Sequence, residues 1–289
     1  MGTSTASSFD LIGPTALAAA YSRQFSDIPY ALEIAQKVDA QTVFEQHTGH
    51  HLERLTTLVL WIESRYKAIN HLIAMFGYTQ IIELASGLLP RGMAMSENPN
   101  VTFVESDLPA MIDFKKQLVM QLIGERRNLQ FEAIDATSIP SQFPIDADYL
   151  HDSEKVAILC EGLLLYLSFP EKERVCANVR NMLQRYGGVW ITPDLSTKDG
   201  WYRLQEINPT IHKTFQAIYN TTGRSLIDNC FNDMEHARQF FIEQGFCVEE
   251  YKLIEILGEI SDLERPGIDS DQANHLLATN SVFALTLNS

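Results

Sequence analysis

The sequence predicts an α/β fold, in which a doubly wound, mostly parallel sheet follows a helical N-terminal region. From Gly77 onward, short apolar runs rich in β-branched residues alternate with segments of helical spacing. Such alternation is typical of parallel strands joined by crossover helices. Before Gly77, apolar residues recur every three or four positions in "ALEIAQKV" and "LTTLVLWIESRYKAINHLIAMF", which predicts helices.

Seven strands and three main helices are predicted in the core. In chain order the strand runs are "TQIIELA", "VTFVES", "LQFEAID", "KVAILCEG", "GGVWITPD", "FCVEEYKLI" and "SVFALTLN". Helices are expected over Leu108 to Ile123, Pro170 to Tyr186 and Asp233 to Gln244. The last two strands are candidates for an antiparallel pair, although a long connection separates them. We therefore expect a helical cap over residues 1–76 and a core over 77–289, with a lid-like insertion over 195–231.

Composition and charge exclude several classes of partner. The formal net charge is −15, and binding to phosphate backbones or anionic lipid depends on clustered Lys and Arg. No apolar run reaches the roughly 18 residues of a membrane span. The four cysteines form no C-x-x-C pair, which favours a reducing compartment. We expect a soluble cytoplasmic protein that binds neither nucleic acid nor membrane; its oligomeric state is open.

A metal site is not expected. His47, His50 and His51 lie close together in "HTGHHLERL", but no carboxylate or cysteine stands beside them at ligand spacing. Exposed histidines at the start of a helix are the commoner arrangement.

Carboxylates follow four successive predicted strands. Glu83 ends the first, Glu105 and Asp107 the second, Asp135 the third and Glu161 the fourth. Ligands of open α/β sheets bind in the crevice at these carboxyl ends. After Glu83 come Ala85, Ser86 and Gly87, small residues that allow a ligand to approach the backbone.

This acidic crevice suits a ligand with hydroxyls, an exocyclic amine and a positive centre better than one rich in phosphate. S-adenosylmethionine has these groups and no phosphate. The opening loop also lacks the G-x-G-x-x-G spacing that seats a pyrophosphate, because Gly87 is the one glycine among its first residues. A nicotinamide-dependent oxidoreductase is therefore the weaker alternative.

Several blocks, in order, resemble the leucine carboxyl methyltransferase family, which includes protein phosphatase methyltransferases and tetracenomycin-type polyketide O-methyltransferases. These blocks are "SRYKAINHLI", "IIELASGLLPRG", "FVESDLPAMIDFKK", "AILCEGLLLYLSFPEKERVCANVRNML" and "GGVWITPDL", which together span Arg65 to Leu195. The resemblance implies a Rossmann-like, class I methyltransferase core with a helical N-terminal cap. It implies S-adenosylmethionine as the cofactor and S-adenosylhomocysteine as the product.

The resemblance also assigns roles to individual residues. Arg65 corresponds to the arginine that binds the cofactor's carboxylate, and a guanidinium fork suits that task. The ribose acid corresponds to Glu105 or Asp107, and Asp135 corresponds to the acid at the adenine amine. The complete set of expected cofactor-binding residues is Arg65, Glu83, Ala85, Ser86, Gly87, Glu105, Asp107, Leu108, Asp135, Ala136, Glu161 and Gly162.

The motif loop departs from the family pattern Gly-Ala-Gly-x-Asp-Thr-Arg. Ala85 replaces the first glycine, Leu89 the aspartate and Pro90 the threonine, whereas Gly87 and Arg91 remain. These changes raise the alternative of a regulatory or binding protein that kept the fold and lost methyl transfer.

The expected activity is O-methyl transfer from S-adenosylmethionine to a small-molecule hydroxyl or phenol, or to a carboxyl group. No histidine or lysine in the crevice stands out as a base, which favours carboxylates or acidic phenols as acceptors. No catalytic residue is assigned. Tyr202 and Arg203, in the insertion, are candidate substrate contacts.

Overall fold

Seven strands form a single sheet. The structure is a computed structural model that describes residues 14–42, 45, 56–143, 148–207, 224–256 and 270–288. The strands are β1 (Gln80–Leu84), β2 (Thr102–Asp107), β3 (Leu129–Ala133), β4 (Val156–Cys160), β5 (Gly188–Thr192), β6 (Phe246–Lys252) and β7 (Ser281–Leu287). Their order across the sheet is β3-β2-β1-β4-β5-β7-β6. Neighbours among β1 to β5 are parallel, and β7 runs antiparallel to both β5 and β6. The predicted doubly wound sheet and the antiparallel final pair are confirmed.

Helices cover both faces of this sheet. Those before it are α1 (Pro14–Arg23), α2 (Ala31–Lys37) and α3 (Thr56–Phe76). The later ones are α4 (Arg91–Met95), α5 (Pro109–Ile123), α6 (Phe169–Tyr186), α7 (Lys198–Ile207), α8 (Met234–Glu243), α9 (Leu253–Ile256) and α10 (Ser270–Thr279). The helical N-terminal region is thus present. A bridge between Thr197 and Phe231 joins the two ends of the expected insertion.

Two apolar layers hold the sheet between the helices. One layer contains Leu72 of α3 and Phe103 of β2, and the other contains Val179 of α6 and Trp190 of β5. All four side chains are buried. Burying one large apolar side chain contributes about 1.5–3 kcal/mol, so these layers supply most of the favourable free energy of folding.

Local sequence determines where α6 begins and ends. Ser168 and Glu171 form a capping box, and a proline follows at the first turn. Gly187 ends the helix at φ +67°, a conformation that favours glycine. At Gly188 a Cβ atom would lie 1.9 Å from the carbonyl oxygen of Val156, so β5 can pair closely with β4 only through glycine.

Three further features concern membrane spans, thiols and metal binding. No helix in the described part of the chain is long and apolar enough to cross a membrane. All four cysteines are free thiols. Among the described residues, no group of three His, Cys, Asp or Glu side chains could hold a metal ion. His47, His50 and His51 lie outside the described residues.

Candidate functional site

The loop after β1 turns back over the carboxyl edge of the sheet. Ala85 and Gly87 both have left-handed backbone, at φ +51° and +46°. Between them, the Ser86 N–H donates to the Ser106 carbonyl oxygen at 2.9 Å, which ties the loop to the end of β2. The Ser86 hydroxyl is buried with no hydrogen-bond partner. This arrangement keeps the backbone open to a ligand at the point where β1 and β2 end.

Asp107 lies at the same edge and contacts the loop directly. Its two carboxylate oxygens accept hydrogen bonds from the Gly87 N–H at 2.8 Å and the Leu108 N–H at 2.7 Å. Burial raises the pKa of Asp107, and the two backbone N–H groups oppose that shift. Each oxygen retains capacity to accept a further hydrogen bond, so Asp107 is suited to bind ligand hydroxyls.

Beyond β3, Asp135 is exposed, and one of its oxygens accepts from the Thr137 N–H at 2.8 Å and the Thr137 hydroxyl at 2.7 Å. The other oxygen has no bond within the described residues, so it can accept from a ligand amine. Ala136 beside it is buried. Two large apolar side chains near these acids are open to solvent, Leu108 at 54% and Ile139 at 50% exposure. They offer apolar surface on which a planar ring could pack.

Glu105 does not face this crevice. Its side chain is fully buried and pairs with the ammonium of Lys115, which also donates to the Ser86 carbonyl oxygen at 3.3 Å. A Cβ atom at Gly92 would lie 2.2 Å from Glu105 Oε1, so any larger residue at this position in α4 would displace the Glu105 carboxylate. Of the two expected ribose acids, the structure therefore favours Asp107 over Glu105.

Glu83 and Glu161 belong to a buried ion network centred on Arg91. The Arg91 guanidinium binds Glu83, donates to Glu161 Oε2 at 2.8 Å and to Asn70 Oδ1 at 2.9 Å, and lies 4.5 Å from the Tyr66 ring centre. Burial raises the pKa of Glu83 to about 7, although Arg91 acts in the opposite direction. Both glutamates thus pair with Arg91, the first residue of α4, directly after the motif loop.

Two further arginines lie at the end of β4. Arg65 Nη2 is 3.2 Å from Asp194 Oδ1, and its guanidinium stacks 4.3 Å from the Trp61 ring centre. Arg23, at the end of α1, is 3.9 Å from Glu161 Oε1. Burial raises the pKa of Glu161, but Arg91, Arg65 and Arg23 outweigh that effect and the pKa is lowered. The Nε atoms of both Arg23 and Arg65 are buried with no hydrogen-bond partner.

Orphaned buried donors of this kind are costly unless a ligand satisfies them. A carboxylate is the natural partner of two guanidinium groups. Arg65 was expected from the sequence, whereas Arg23 was missed. Only its position in an apolar helical stretch, "ALAAAYSRQF", could have pointed to it.

The departures in the motif loop have a packing explanation. Leu89, at the position of the family's aspartate, is buried in a small apolar cluster with Ile28, Ala31 and Tyr66. A leucine there adds to the apolar contact of this cluster, whereas an aspartate would have to be desolvated. Leu89 therefore fits the packing of the helical N-terminal region against the loop.

A cavity of about 810 Å³ adjoins Arg65 on the side of β5. It lies at the carboxyl end of β5, beneath α7 and beside α10. Its lining includes aromatic and apolar side chains as well as both charge signs, among them Trp61, Trp201, Arg203, Lys252, His275 and Phe283. Of the two expected substrate contacts, Arg203 lines the cavity; Tyr202 is exposed on α7 and is not among the lining residues.

The residues at the carboxyl edge fit S-adenosylmethionine. Two unpartnered guanidinium donors match its carboxylate, Asp107 matches ribose hydroxyls, and Asp135 matches the adenine amine. No pyrophosphate-binding glycine pattern is present in the loop. Gly162 follows β4 with left-handed backbone, at φ +81°.

Comparisons with known proteins agree with this architecture. A curated relative from Parafrankia sp. (strain EAN1pec), described as a candidate S-adenosyl-L-methionine-dependent methyltransferase, is 28% identical over 185 residues. The match covers 59% of this chain and 59% of the relative, so the chain spans well under two thirds of that protein's length.

Two crystal structures share the fold over nearly the whole chain. One is a candidate methyltransferase from Thermobifida fusca YX, with a TM-score of 0.57, 16% identity and coverage of 96% of both chains. The other is a DUF574 family protein from Streptomyces avermitilis MA-4680, with a TM-score of 0.56, 14% identity and coverage of 95% of this chain and 97% of that one.

The model of the leucine carboxyl methyltransferase family matches residues 15–180, which is more than half of the 289 residues. The matched range contains all but the first residue of α1, the motif loop and β1 to β4, and S-adenosylmethionine is the cofactor of this family. The resemblance inferred from the sequence is confirmed: the chain belongs to the leucine carboxyl methyltransferase family.

Proposed function

We propose that the protein is an S-adenosylmethionine-dependent O-methyltransferase whose acceptor is a small molecule with a hydroxyl, phenol or carboxyl group. The observation that carries this proposal is the pair of buried, unpartnered Nε donors on Arg23 and Arg65. They lie at the end of β4, on the same sheet edge as Asp107 and Asp135. Together these groups provide a positively charged subsite and two acidic subsites. They suit a ligand that has a carboxylate at one end and a nucleoside at the other.

Each residue then has a defined task. Arg65 and Arg23 bind the carboxylate of the methionine end. Asp107 accepts hydrogen bonds from ribose hydroxyls, and Gly87 keeps the adjacent backbone accessible. Asp135 accepts from the adenine amine, while Leu108 packs on the ring. Glu83 and Glu161 act indirectly, since they hold Arg91 and the motif loop.

The acceptor binds in the cavity beside Arg65. Cavities of 300–1,000 Å³ are typical of small-molecule sites, and 810 Å³ lies within that range. Trp201 and Phe283 provide apolar surface. The described lining carries Arg65, Arg203 and Lys252 as well as four acids, Asp199, Asp233, Glu250 and Asp271, so it has no strong excess of either charge.

S-adenosylmethionine supplies an activated methyl group on its sulfonium. The chain's own contribution is to orient both reactants and exclude water. A carboxylate acceptor is ionised at neutral pH and needs no base, whereas a phenol benefits from one. His275 on α10 is the one histidine among the described residues of the cavity lining, and it offers a base for a phenol.

Calorimetry with S-adenosylmethionine and S-adenosylhomocysteine tests the cofactor. We expect micromolar binding by the intact protein, and no heat of binding at millimolar ligand would refute the proposal. A nicotinamide oxidoreductase would instead bind NADH. A regulatory protein without transferase activity would bind S-adenosylhomocysteine. It would form none from S-adenosylmethionine in the presence of any acceptor.

A panel of phenols, aliphatic alcohols, small carboxylic acids and a peptide ending in leucine tests the acceptor, with release of S-adenosylhomocysteine as the readout. His275→Gln then separates the chemistries. We expect a lower kcat for a phenol and an unchanged kcat for a carboxylic acid, because only the phenol must lose a proton. Turnover confined to the peptide would contradict a small-molecule acceptor.

A further inference from the structure

Asp194, two residues beyond β5, makes an unusual number of contacts for one side chain. It is buried, and its oxygens accept hydrogen bonds from the Gly162 N–H at 2.9 Å, the Leu163 N–H at 2.7 Å and the Leu164 N–H at 3.0 Å. Oδ1 also accepts from Arg65 Nη2 at 3.2 Å. One carboxylate therefore holds three successive backbone N–H groups after β4 and one arginine from α3.

These contacts determine how the Arg65 guanidinium is oriented. Asp194 binds it at Nη2, and the Trp61 ring lies against one of its faces at 4.3 Å. The Nε atom is left buried and unpartnered. Because an arginine side chain has several rotatable bonds, two fixed contacts are needed to hold one N–H in a single direction.

Asp194 also lies between the loop after β4 and the cavity. The loop that it holds begins at Gly162, directly after Glu161 of the ion network. On its other side, Pro193 and Leu195 line the 810 Å³ cavity, as does Arg65. A change at Asp194 thus alters both the methionine end of the cofactor site and the wall of the cavity.

We propose that Asp194 is a positioning residue that holds Arg65 and the loop after β4 in the geometry that binds the cofactor's amino-acid end. This inference rests on the proposed function, because it assumes that Arg65 binds the cofactor carboxylate. Asp194 itself touches neither the cofactor nor the acceptor. Its effect passes through Arg65 and the Gly162 to Leu164 backbone.

Asp194→Asn tests the role with little change in volume. An asparagine has one acceptor oxygen where aspartate has two, and its NH₂ group repels N–H donors. The amide oxygen will remain at Leu163 and Leu164, where two N–H groups point at one oxygen. The NH₂ group then faces Gly162 and Arg65, so the arginine loses its anchor.

The experiment compares two ligands by calorimetry on the full chain. S-adenosylhomocysteine carries the carboxylate, and 5′-methylthioadenosine has the nucleoside without the amino-acid end. We expect Asp194→Asn to weaken S-adenosylhomocysteine binding at least tenfold and to leave 5′-methylthioadenosine binding within twofold of wild type. A merely structural role would weaken both ligands equally, and that result would overturn the inference, as would unchanged binding of both.

Glu171→Gln is the matched control. Glu171 also pairs with an arginine, Arg224, and accepts a backbone N–H, from Ser168 at 2.8 Å, but at the outer start of α6. We expect it to leave both affinities unchanged. If Asp194→Asn does not fold, Asp194→Glu replaces it, because the longer side chain keeps the charge and displaces the oxygens; the same two-ligand difference is expected.

The outcome also separates this inference from the proposed function. If wild-type protein does not bind S-adenosylhomocysteine, the proposed function fails. If wild type binds it and Asp194→Asn binds it equally well, only the role of Asp194 fails.

Discussion

Replacing Arg91 by methionine removes the centre of the buried ion network while nearly keeping the apolar volume of the side chain. Arg91 is completely buried; its guanidinium pairs with Glu83 and Glu161 and donates a hydrogen bond to Asn70. Its loss would leave two carboxylates buried without their main partner. Breaking a buried pair in this way costs about 3–5 kcal/mol. We expect Arg91→Met to lower the free energy of unfolding by about 4 kcal/mol at pH 7.5.

The expected loss depends on pH in a defined direction. In wild type, burial already raises the pKa of Glu83 to about 7 despite Arg91. A raised folded-state pKa gives stability that is full below the unfolded pKa, about 4.3, and is lost as pH rises through the folded value. Without Arg91 that folded pKa rises further. The deficit of Arg91→Met should therefore shrink between pH 7.5 and pH 5.5, by up to about 0.8 kcal/mol from Glu83.

Urea denaturation followed by circular dichroism at both pH values measures the effect. The control is Arg185→Met, which breaks the exposed pair of Arg185 with Asp152 at 2.9 Å. Exposed pairs contribute about 0–1 kcal/mol, with little change over this pH range. A loss below about 1 kcal/mol for Arg91→Met, or one that is the same at both pH values, would refute this account of the network.

Three further changes have expected outcomes. Asp107→Asn should weaken S-adenosylhomocysteine binding about tenfold by calorimetry, whereas Asp113→Asn, exposed on α5, should not; equal effects would exclude Asp107 from the ribose site. Gly188→Ala should lower the free energy of unfolding by more than about 3 kcal/mol because its Cβ meets neighbouring backbone. The control Gly77→Ala, whose Cβ meets nothing within 4 Å, should lower it by about 1 kcal/mol. Similar melting temperatures for the two variants would contradict this. Glu171→Gln should lower the free energy of unfolding by about 1 kcal/mol at pH 7, measured by urea denaturation. The Arg224 partner holds the pKa of Glu171 down at about 2, so this contribution should fade as pH drops below about 4.5. A loss of stability that does not depend on pH would count against this account.

The order of strands and helices could be read from the sequence because it depends on local patterns. Alternating apolar runs and helical spacing indicate each element, and turn residues such as Gly187 mark where elements end. The acids after successive strands could also be found, because parallel strands bring their carboxyl ends to one edge of the sheet.

Which of those acids stays accessible at the sheet edge could be seen only in the tertiary structure. Glu105 and Asp107 are two residues apart on the same face of β2, and no local pattern distinguishes them. The packing of α5 places Lys115 against Glu105, whereas Asp107 remains at the edge beside Gly87. Which acid meets a ligand depends on a contact between elements, and sequence spacing carries no information on it.

The sequence by itself determined the fold class, the family and the acidic edge, because these follow from periodicity and from motifs whose residues are close in the chain. Only the tertiary structure brought Arg23 of α1, Arg65 of α3 and Asp194 after β5 together at the end of β4. Arg65 and Asp194 are 129 positions apart in the chain. Their pairing depends on how the helical cap packs over the sheet, which is a property of the whole core and not of any one segment.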